Sequence, residues 1–138
     1  MLFTDFDDRV LIVKPNYRDY WLLPGGIVEA NESPDLCAER EVTEELGLNV
    51  KSGPLLAIDW SPASGIRPRA ITAYIFDGGT IAADTPLALQ AEELDEARFV
   101  TAEQAGDLLS EFTVPRVHAA LAARRDGHAR YLHGGNLH

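Results

Sequence analysis

Residues 26–48 have the sequence GIVEANESPDLCAEREVTEELGL and carry an unusually dense set of acidic side chains. The seven acidic residues are Glu29, Glu32, Asp35, Glu39, Glu41, Glu44 and Glu45, and the only basic residue of the segment is Arg40. Carboxylates this close raise one another's pKa and repel, so they stay ionised together only when a cation or several donors lie among them. The segment therefore predicts a site that binds positive charge.

The second half of this segment predicts a helix from Pro34 to Leu46. Ser33 suits the N-cap, Pro34 suits the first helical position, and Gly47 suits the left-handed residue that ends a helix. On such a helix three carboxylates share one stripe, and three apolar side chains form the neighbouring stripe. The carboxylates are Glu41, Glu44 and Glu45, and the apolar side chains are Ala38, Val42 and Leu46. One face packs on the core while its neighbour presents the acidic stripe.

The chemistry of this stripe indicates a hard divalent cation. Carboxylate oxygens favour Mg²⁺, Mn²⁺ or Ca²⁺ over zinc, and the chain has no Cys/His set at zinc spacing. The turn Pro24-Gly25-Gly26 lets the backbone approach a metal or ligand closely. Gly26 and the three glutamates are therefore the predicted metal ligands. Glu32 comes too early for the stripe and is predicted to pair with Arg40, holding the loop against the helix.

The spacing of these residues resembles the signature of the Nudix hydrolases at every defined position. Gly26 is followed after five residues by Glu32, and after seven more by Arg40-Glu41-Val42-Thr43-Glu44-Glu45-Leu46-Gly47-Leu48. Trp21-Leu22-Leu23-Pro24-Gly25-Gly26 is similar to that family's usual lead-in. The resemblance implies an α/β fold, a sandwich with a mixed sheet between helices. It also implies Mg²⁺- or Mn²⁺-dependent hydrolysis of the pyrophosphate bond of a nucleoside diphosphate linked to another group, X.

The proton acceptor is left open between two glutamates. A carboxylate not fully engaged with metal takes the proton of the attacking water, and Glu41 and Glu93 are the candidates. Glu93 lies in a second acidic cluster, residues 91–96, and family members often take a further ligand or base from a loop in that region. A solvated run of charge is the alternative explanation. The predicted catalytic set is Glu41, Glu44, Glu45 and Glu93.

Four residues outside the signature are candidate substrate contacts. Tyr17 and Arg18 precede the glycine turn, where they can stack on a base and contact phosphate. Arg67 and Arg69 lie in a loop, residues 61–69, and can bind phosphate with two donors. The alternatives are aromatic cover for the core and loop arginines without a ligand. Pro62, which lies near the position of a proline associated with ADP-ribose cleavage, gives a slight preference for ADP-ribose or related nucleotides.

A second function class keeps the same fold but lacks catalysis. A non-catalytic sensor or binding module for nucleotide diphosphates would bind the compound without cleaving it. The intact acidic stripe disfavours this alternative, because a pure binder has little use for three repelling carboxylates.

Length and composition predict a single domain over residues 1–138. The net charge of −10 excludes a basic surface for duplex nucleic acid, but a small nucleotide substrate can recruit its positive charge as metal ions. No stretch resembles a signal peptide or membrane span, so residence is predicted to be cytoplasmic without a membrane partner. Cys37, the only cysteine, is interpreted as a small buried side chain. A homodimer is left open.

Outside the signature, the pattern predicts the following order of elements. Strands are expected at 2–6 and 9–14 as a hairpin, at 55–60, at 70–76 with a hairpin partner at 80–82, and at 94–100. Helices are expected at 102–109, with a capping box at Thr101 and Gln104, and from Thr113 to about Arg125. The first strand is short, so we expect it to be truncated and to leave a sheet edge. The tail from Asp126 is expected to be loosely ordered.

Overall fold

The computed structural model describes residues 1–138 and contains one seven-stranded mixed sheet and three helices. The strands are β1 (Leu2–Thr4), β2 (Val10–Pro15), β3 (Leu55–Ser61), β4 (Ile71–Thr80), β5 (Leu94–Val100), β6 (Arg130–His133) and β7 (Asn136–Leu137). The helices are α1 (Pro34–Leu46), α2 (Ala102–Leu108) and α3 (Thr113–Asp126). The strand order is β5-β2-β1-β4-β3-β6-β7, with β1 parallel to β4 and β3 parallel to β6.

Alternating side chains of the central strands pack on opposite faces of the sheet. Val10 and Ile12 of β2 join the core under α2 and α3, which includes Val117 and Ala120. The neighbouring Leu11 and Val13 join a second core, in which Val42 and Leu46 of α1 are buried. The sheet therefore lies between α1 on one side and α2 with α3 on the other, which confirms the predicted α/β sandwich.

Helix α1 begins and ends where the sequence predicts. Gly47 takes the left-handed conformation, with φ of 68°, and its N–H donates to the carbonyl oxygen of Thr43. Val42 and Leu46 are fully buried, so the apolar stripe packs as expected. Ser33 has the extended backbone of an N-cap, although its side chain makes no capping hydrogen bond. Because the stripe is anchored by its buried neighbours, the direction in which the three glutamates point is set by the core.

The predicted hairpin at Asp77-Gly78-Gly79 is wrong, since β4 continues through these residues to Thr80. A Cβ on Gly78 would lie 2.6 Å from the ring of Phe3, so the absent side chain lets β1 pack closely against β4. The pairing of β1 with β4 shifts register at this point, between Leu2 and Phe3. Gly78 therefore serves close packing between strands that are distant in sequence, and the local turn pattern gives no sign of that contact.

The two chain ends also differ from expectation. β1 lies inside the sheet between β2 and β4, so the expected edge at the first strand is wrong. The tail contains β6 and β7, and Leu132 of β6 is 1% exposed, which contradicts the prediction that residues 126–138 are loosely ordered. β6 pairs in parallel with β3, and the turn after it places Gly135 against Asp59 of that strand.

None of the three helices has both the length and the apolar character needed to cross a bilayer.

Candidate metal and substrate site

Glu45 is the buried member of the acidic stripe. Its side chain lies under the glycine turn, where the Gly25 N–H donates to Oε2 at 3.3 Å, and the residue is only 5% exposed. Burial raises the pKa of Glu45 to about 8, and the charge of Glu41 raises it further, while the Gly25 N–H opposes the shift. The positive charge of the Met1 amino group also opposes the shift, but the pKa stays raised, so the surroundings as a whole disfavour the charged form of Glu45.

Glu41 is in contact with the glycine turn. A Cβ on Gly26 would lie 2.3 Å from the carboxyl carbon of Glu41, so only a glycine fits at this position. Burial raises the pKa of the Glu41 carboxyl, as do the charges of Glu44 and Glu93, while Arg40 lowers it. The glycine turn and the acidic stripe are thus in direct contact, a closeness that was not predicted from the sequence.

Arg40 holds the loop against α1 through Glu32. Its Nε donates to Glu32 Oε2 at 2.7 Å and its Nη2 donates to Oε1 at 3.0 Å. Nη2 also donates to the carbonyl oxygen of Ile27, which follows the glycine turn directly. These bonds lower the pKa of Glu32 to about 2. The predicted pair of Glu32 and Arg40 is therefore confirmed. Its bidentate geometry favours arginine over lysine.

The lowered pKa of Glu32 predicts a pH-dependent contribution to stability. Because the folded pKa lies below the ordinary value of 4.5, the contribution is present above about pH 4.5 and is lost as the pH falls toward 2. The variant Glu32→Gln should melt at a lower temperature than the parent at pH 6, and the difference should shrink across this window. Thermal unfolding from pH 6 to pH 2 measures it.

The matched control for this prediction is Glu29→Gln. The Glu29 side chain is 68% exposed and lies 3.8 Å from Arg40, so its replacement should change the melting temperature little at any pH. A Glu32→Gln difference that stays constant down to pH 2 would contradict the assigned ion pair.

Arg40 also contacts the acidic stripe. Its Nη1 lies 3.0 Å from Glu41 Oε1 and 3.2 Å from Glu44 Oε2, so one arginine serves several carboxylates. Glu39 is engaged elsewhere, with Lys51 at 3.0 Å and the N–H of Ser52 at 2.9 Å. The partners of Glu39 thus lie beyond the acidic segment. The stripe itself keeps an excess of negative charge.

The donor set fits a hard divalent cation. As the side chains stand, no three Asp, Glu, His or Cys residues converge closely enough to hold a metal ion together. Arg40 engages one oxygen each of Glu41 and Glu44, and Gly25 engages one oxygen of Glu45, which leaves one carboxylate oxygen on each glutamate. Hard oxygen donors of this kind suit Mg²⁺ or Mn²⁺. The buried carboxyl of Glu45, with its raised pKa, is the group that a cation would favour in its charged form.

The other predicted residues lie at different distances from this stripe. The charge of Glu93 raises the pKa of both Glu41 and Glu45, so Glu93 faces the same site although it is exposed. Burial and the charges of Glu93 and Glu45 raise the pKa of Tyr17, and the Arg18 guanidinium lies 5.6 Å from the Tyr17 ring centre. Glu93 and Tyr17 therefore lie within reach of the charges of the acidic stripe, and Arg18 lies beside Tyr17.

A cleft of about 560 Å³ opens on the other side of the glycine turn. Its lining includes Pro24, Gly25 and Gly26 of the turn, Ala70 with residues 71–75 of β4, and Thr113 and Arg116 of α3. Most of its lining is apolar, and Tyr74 and Ile71 are partly exposed there. The volume lies within the range of small-molecule sites.

The cleft includes residues that the sequence did not single out. Arg116 and Tyr74 line it, yet neither belongs to a motif, and only the packing of α3 beside β4 brings them together. Arg67 does not line the cleft but stacks on Phe112, 5.6 Å from the ring centre, and Phe112 directly precedes Thr113 of the lining. Arg69 is exposed and lies outside the cleft lining.

Comparison with known proteins assigns the chain to a family. The model of the NUDIX domain matches residues 1–123, most of the chain. The chain belongs to the Nudix family. The α/β sandwich and the signature spacing of residues 26–48 agree with this assignment, so the family predicted from the sequence is confirmed.

Solved structures of other Nudix proteins share the fold. A MutT protein from Methanosarcina mazei Go1 is 25% identical with a TM-score of 0.71, and the match covers 91% of this chain and 90% of that one. An ADP-ribose pyrophosphatase from Streptococcus suis is 23% identical with a TM-score of 0.68, and the match covers 96% and 93%. At this identity the second likeness concerns the fold alone.

Curated relatives match over a shorter stretch. Diphosphoinositol polyphosphate phosphohydrolase 3-alpha from Mus musculus is 47% identical over 56 residues, which is 40% of this chain and 34% of the mouse protein. Diphosphoinositol polyphosphate phosphohydrolase 2 from Rattus norvegicus is 49% identical over 56 residues, or 31% of its length. The chain spans about a third of the length of these relatives.

Proposed function

We propose that this Nudix protein is a divalent-metal-dependent hydrolase that cleaves the pyrophosphate bond of a nucleoside diphosphate linked to another group. The observation that carries the proposal is the position of the glycine turn. One side of the turn contacts the carboxylates of Glu41 and Glu45, and its other side forms a wall of the apolar cleft. A nucleotide bound in the cleft thus has its phosphates beside the acidic stripe.

The residues in and around the acidic stripe have different proposed roles. Glu41, Glu44 and Glu45, with the carbonyl of Gly26, are the ligands that would hold Mg²⁺ or Mn²⁺. A bound cation of this kind neutralises the diphosphate and activates water for attack on phosphorus. Either Glu41 or Glu93 accepts the proton of that water. Glu32 and Arg40 keep the loop and helix in register, and Tyr17 and Arg18 are positioned to contact the substrate near the phosphates.

The lining of the cleft favours a nucleotide over an inositol polyphosphate. Relatives named as diphosphoinositol polyphosphate phosphohydrolases match 56 residues, but the cleft of this chain has one basic residue, Arg116, in its lining. A ligand with many phosphates requires many arginine and lysine donors. Apolar walls and the partly exposed ring of Tyr74 suit a nucleobase or sugar. ADP-ribose and related nucleotides are the first compounds to test.

A product screen tests the proposal. Purified protein is incubated with Mg²⁺ and ADP-ribose, UDP-sugars, dinucleoside polyphosphates, nucleoside triphosphates or a diphosphoinositol polyphosphate, and the products are identified by mass spectrometry. We expect cleavage of a nucleotide diphosphate bond that stops when EDTA removes the cation. Binding without products across the whole panel would replace the hydrolase with a nucleotide sensor, and cleavage restricted to the inositol compound would overturn the substrate class.

A further inference from the structure

Two arginine nitrogens are the only buried side-chain polar atoms of the chain without a hydrogen-bond partner. They are Nε of Arg67 and Nη2 of Arg116. A buried donor that lacks a partner is costly, and native proteins contain few of them. Both are guanidinium nitrogens, which can donate to an anion.

The two arginines are linked through the start of α3. Arg116 lines the cleft together with Thr113. Arg67 stacks on Phe112, the residue before Thr113, and precedes by three positions Ala70, which also lines the cleft. We call Arg67 and Arg116 the arginine end. Arg116 shares the lining of the cleft with the glycine turn and with residues of β4.

The arginine end has an excess of positive charge. Arg116 Nε donates to Asp59 Oδ2 at 2.7 Å, and the other oxygen of Asp59 accepts the Gly135 N–H at 3.0 Å. Arg67 has no carboxylate within ion-pair distance, and its Nη2 donates to the carbonyl oxygen of Pro62. The first turn of α3 also contains no acidic residue. One carboxylate thus balances two guanidinium groups, in a chain whose net charge is −10.

A purely structural role explains only part of this arrangement. The bond from Arg116 to Asp59 ties α3 to β3, and it uses Nε. It leaves Nη2 without an acceptor, and it does not involve Arg67. A planar guanidinium presents its remaining donors in a fixed fork, which suits an oxyanion with two or three oxygens.

We propose that the arginine end binds an oxyanion that the substrate carries in addition to its diphosphate. The preferred substrates are then nucleoside diphosphate compounds whose sugar or X group has a phosphate monoester or a carboxylate. This inference rests on the proposed function, because it places the diphosphate at the glycine turn and the second anion at Arg116 and Arg67.

Matched pairs of compounds test the proposal. ADP-ribose is compared with its ribose 2′-phosphate, and UDP-glucose with UDP-glucuronate, so that each pair differs by one anionic group. We expect kcat/KM to be about tenfold higher for the anionic member of at least one pair, as a charge-assisted pair of hydrogen bonds provides. Arg116→Lys keeps a cation beside Asp59 but removes the fork, and should bring the ratio close to one. Equal kcat/KM values within both pairs, or a ratio unchanged in Arg116→Lys, would overturn the proposal.

Arg125→Lys is the matched control on the same helix. Arg125 is exposed on α3 and does not line the cleft, so the ratio should stay at its parent value in this variant. Should Arg116→Lys unfold, Arg67→Gln provides the same test, since Arg67 makes no ion pair whose loss would disturb the fold. An unchanged ratio in Arg67→Gln counts against the proposal equally.

Binding without hydrolysis separates this inference from the proposed function. In EDTA, the affinity for each member of a pair is measured by calorimetry in the parent protein and in Arg116→Lys. A preference for the anionic member that depends on Arg116 supports the arginine end, even if the product screen finds no cleavage. Cleavage of both members at equal rates, with equal affinities in EDTA, would support the proposed hydrolase activity. The same result would contradict oxyanion binding at the arginine end.

Discussion

Glu44→Gln and Glu45→Gln are each expected to lower Mg²⁺-dependent turnover by at least about 100-fold, the effect expected from the loss of a principal metal ligand. The glutamine side chain keeps the size of glutamate but loses the charge that holds a divalent cation. Steady-state kcat at saturating Mg²⁺, measured on the substrate that the product screen identifies, gives the size of the effect. Near-parental turnover in both variants would remove the hydrolase assignment.

Glu39→Gln is the matched control on the same helix. Its carboxylate is engaged with Lys51 and Ser52 and is not part of the acidic stripe, so turnover should stay near the parent value. Stability provides a second control, because burial raises the pKa of Glu45 and its ionisation therefore opposes folding at high pH. Without metal, Glu45→Gln should melt at pH 8 no lower than the parent. A loss of turnover accompanied by unfolding would not count as loss of a ligand.

Gly26→Ala is expected to lower turnover by about 100-fold, since even a displacement of about 1 Å at a catalytic group has an effect of this size. The new Cβ would lie 2.3 Å from the carboxyl carbon of Glu41, so either the carboxylate or the turn has to move. The loop is exposed at this position, and the fold should tolerate the shift. Turnover and thermal unfolding measured on the same preparation distinguish a displaced Glu41 carboxylate from a loss of folding.

Gly106→Ala is the control for the glycine substitution. Gly106 lies in α2, and a Cβ there meets no atom within 4 Å. Alanine favours the helix over glycine, so this variant should keep its turnover and gain slightly in stability. Gly26→Ala with parental turnover would show that the contact between the turn and Glu41 is not needed for the reaction.

The acidic segment was predictable because its signals are local and agree with one another. Pro34 and Gly47 mark the ends of α1, the spacing of Val42 and Leu46 defines the buried side, and Glu32 matches Arg40 in charge and position. Each of these properties depends on residues close in sequence. Local propensity, apolar pattern and charge thus indicated one structure.

The errors in the fold came from contacts between distant parts of the chain. Gly78 looks like a turn residue, but its role is to accommodate the ring of Phe3 in a parallel neighbour. Leu132 lies in a short polar tail, and its burial depends on pairing between β6 and β3. Neither contact involves a residue close in sequence. The local sequence pattern therefore favours a hairpin turn at Gly78 and a loose tail at Leu132.

The cleft and the arginine end could not be predicted from the sequence for the same reason. Arg116 lies in a helix without a motif, and its significance comes from Asp59, 57 positions away, and from the wall that β4 provides. Arg67 was a candidate for phosphate binding on composition alone. The structure adds its stacking on Phe112 and its unpartnered Nε, which turn a general property of arginine into a specific hypothesis.

The most direct test of the central claim, that the acidic stripe binds a divalent cation, is a calorimetric titration of Mn²⁺ at pH 7 in two buffers of different ionisation enthalpy. Because burial raises the pKa of Glu45 to about 8, its carboxyl is mostly protonated at this pH and has to lose its proton to become a ligand. We predict saturable binding with release of about one proton per site, and loss of both the tight binding and the proton release in Glu45→Gln. Absence of saturable binding, or a titration that is identical in Glu45→Gln, would contradict the account.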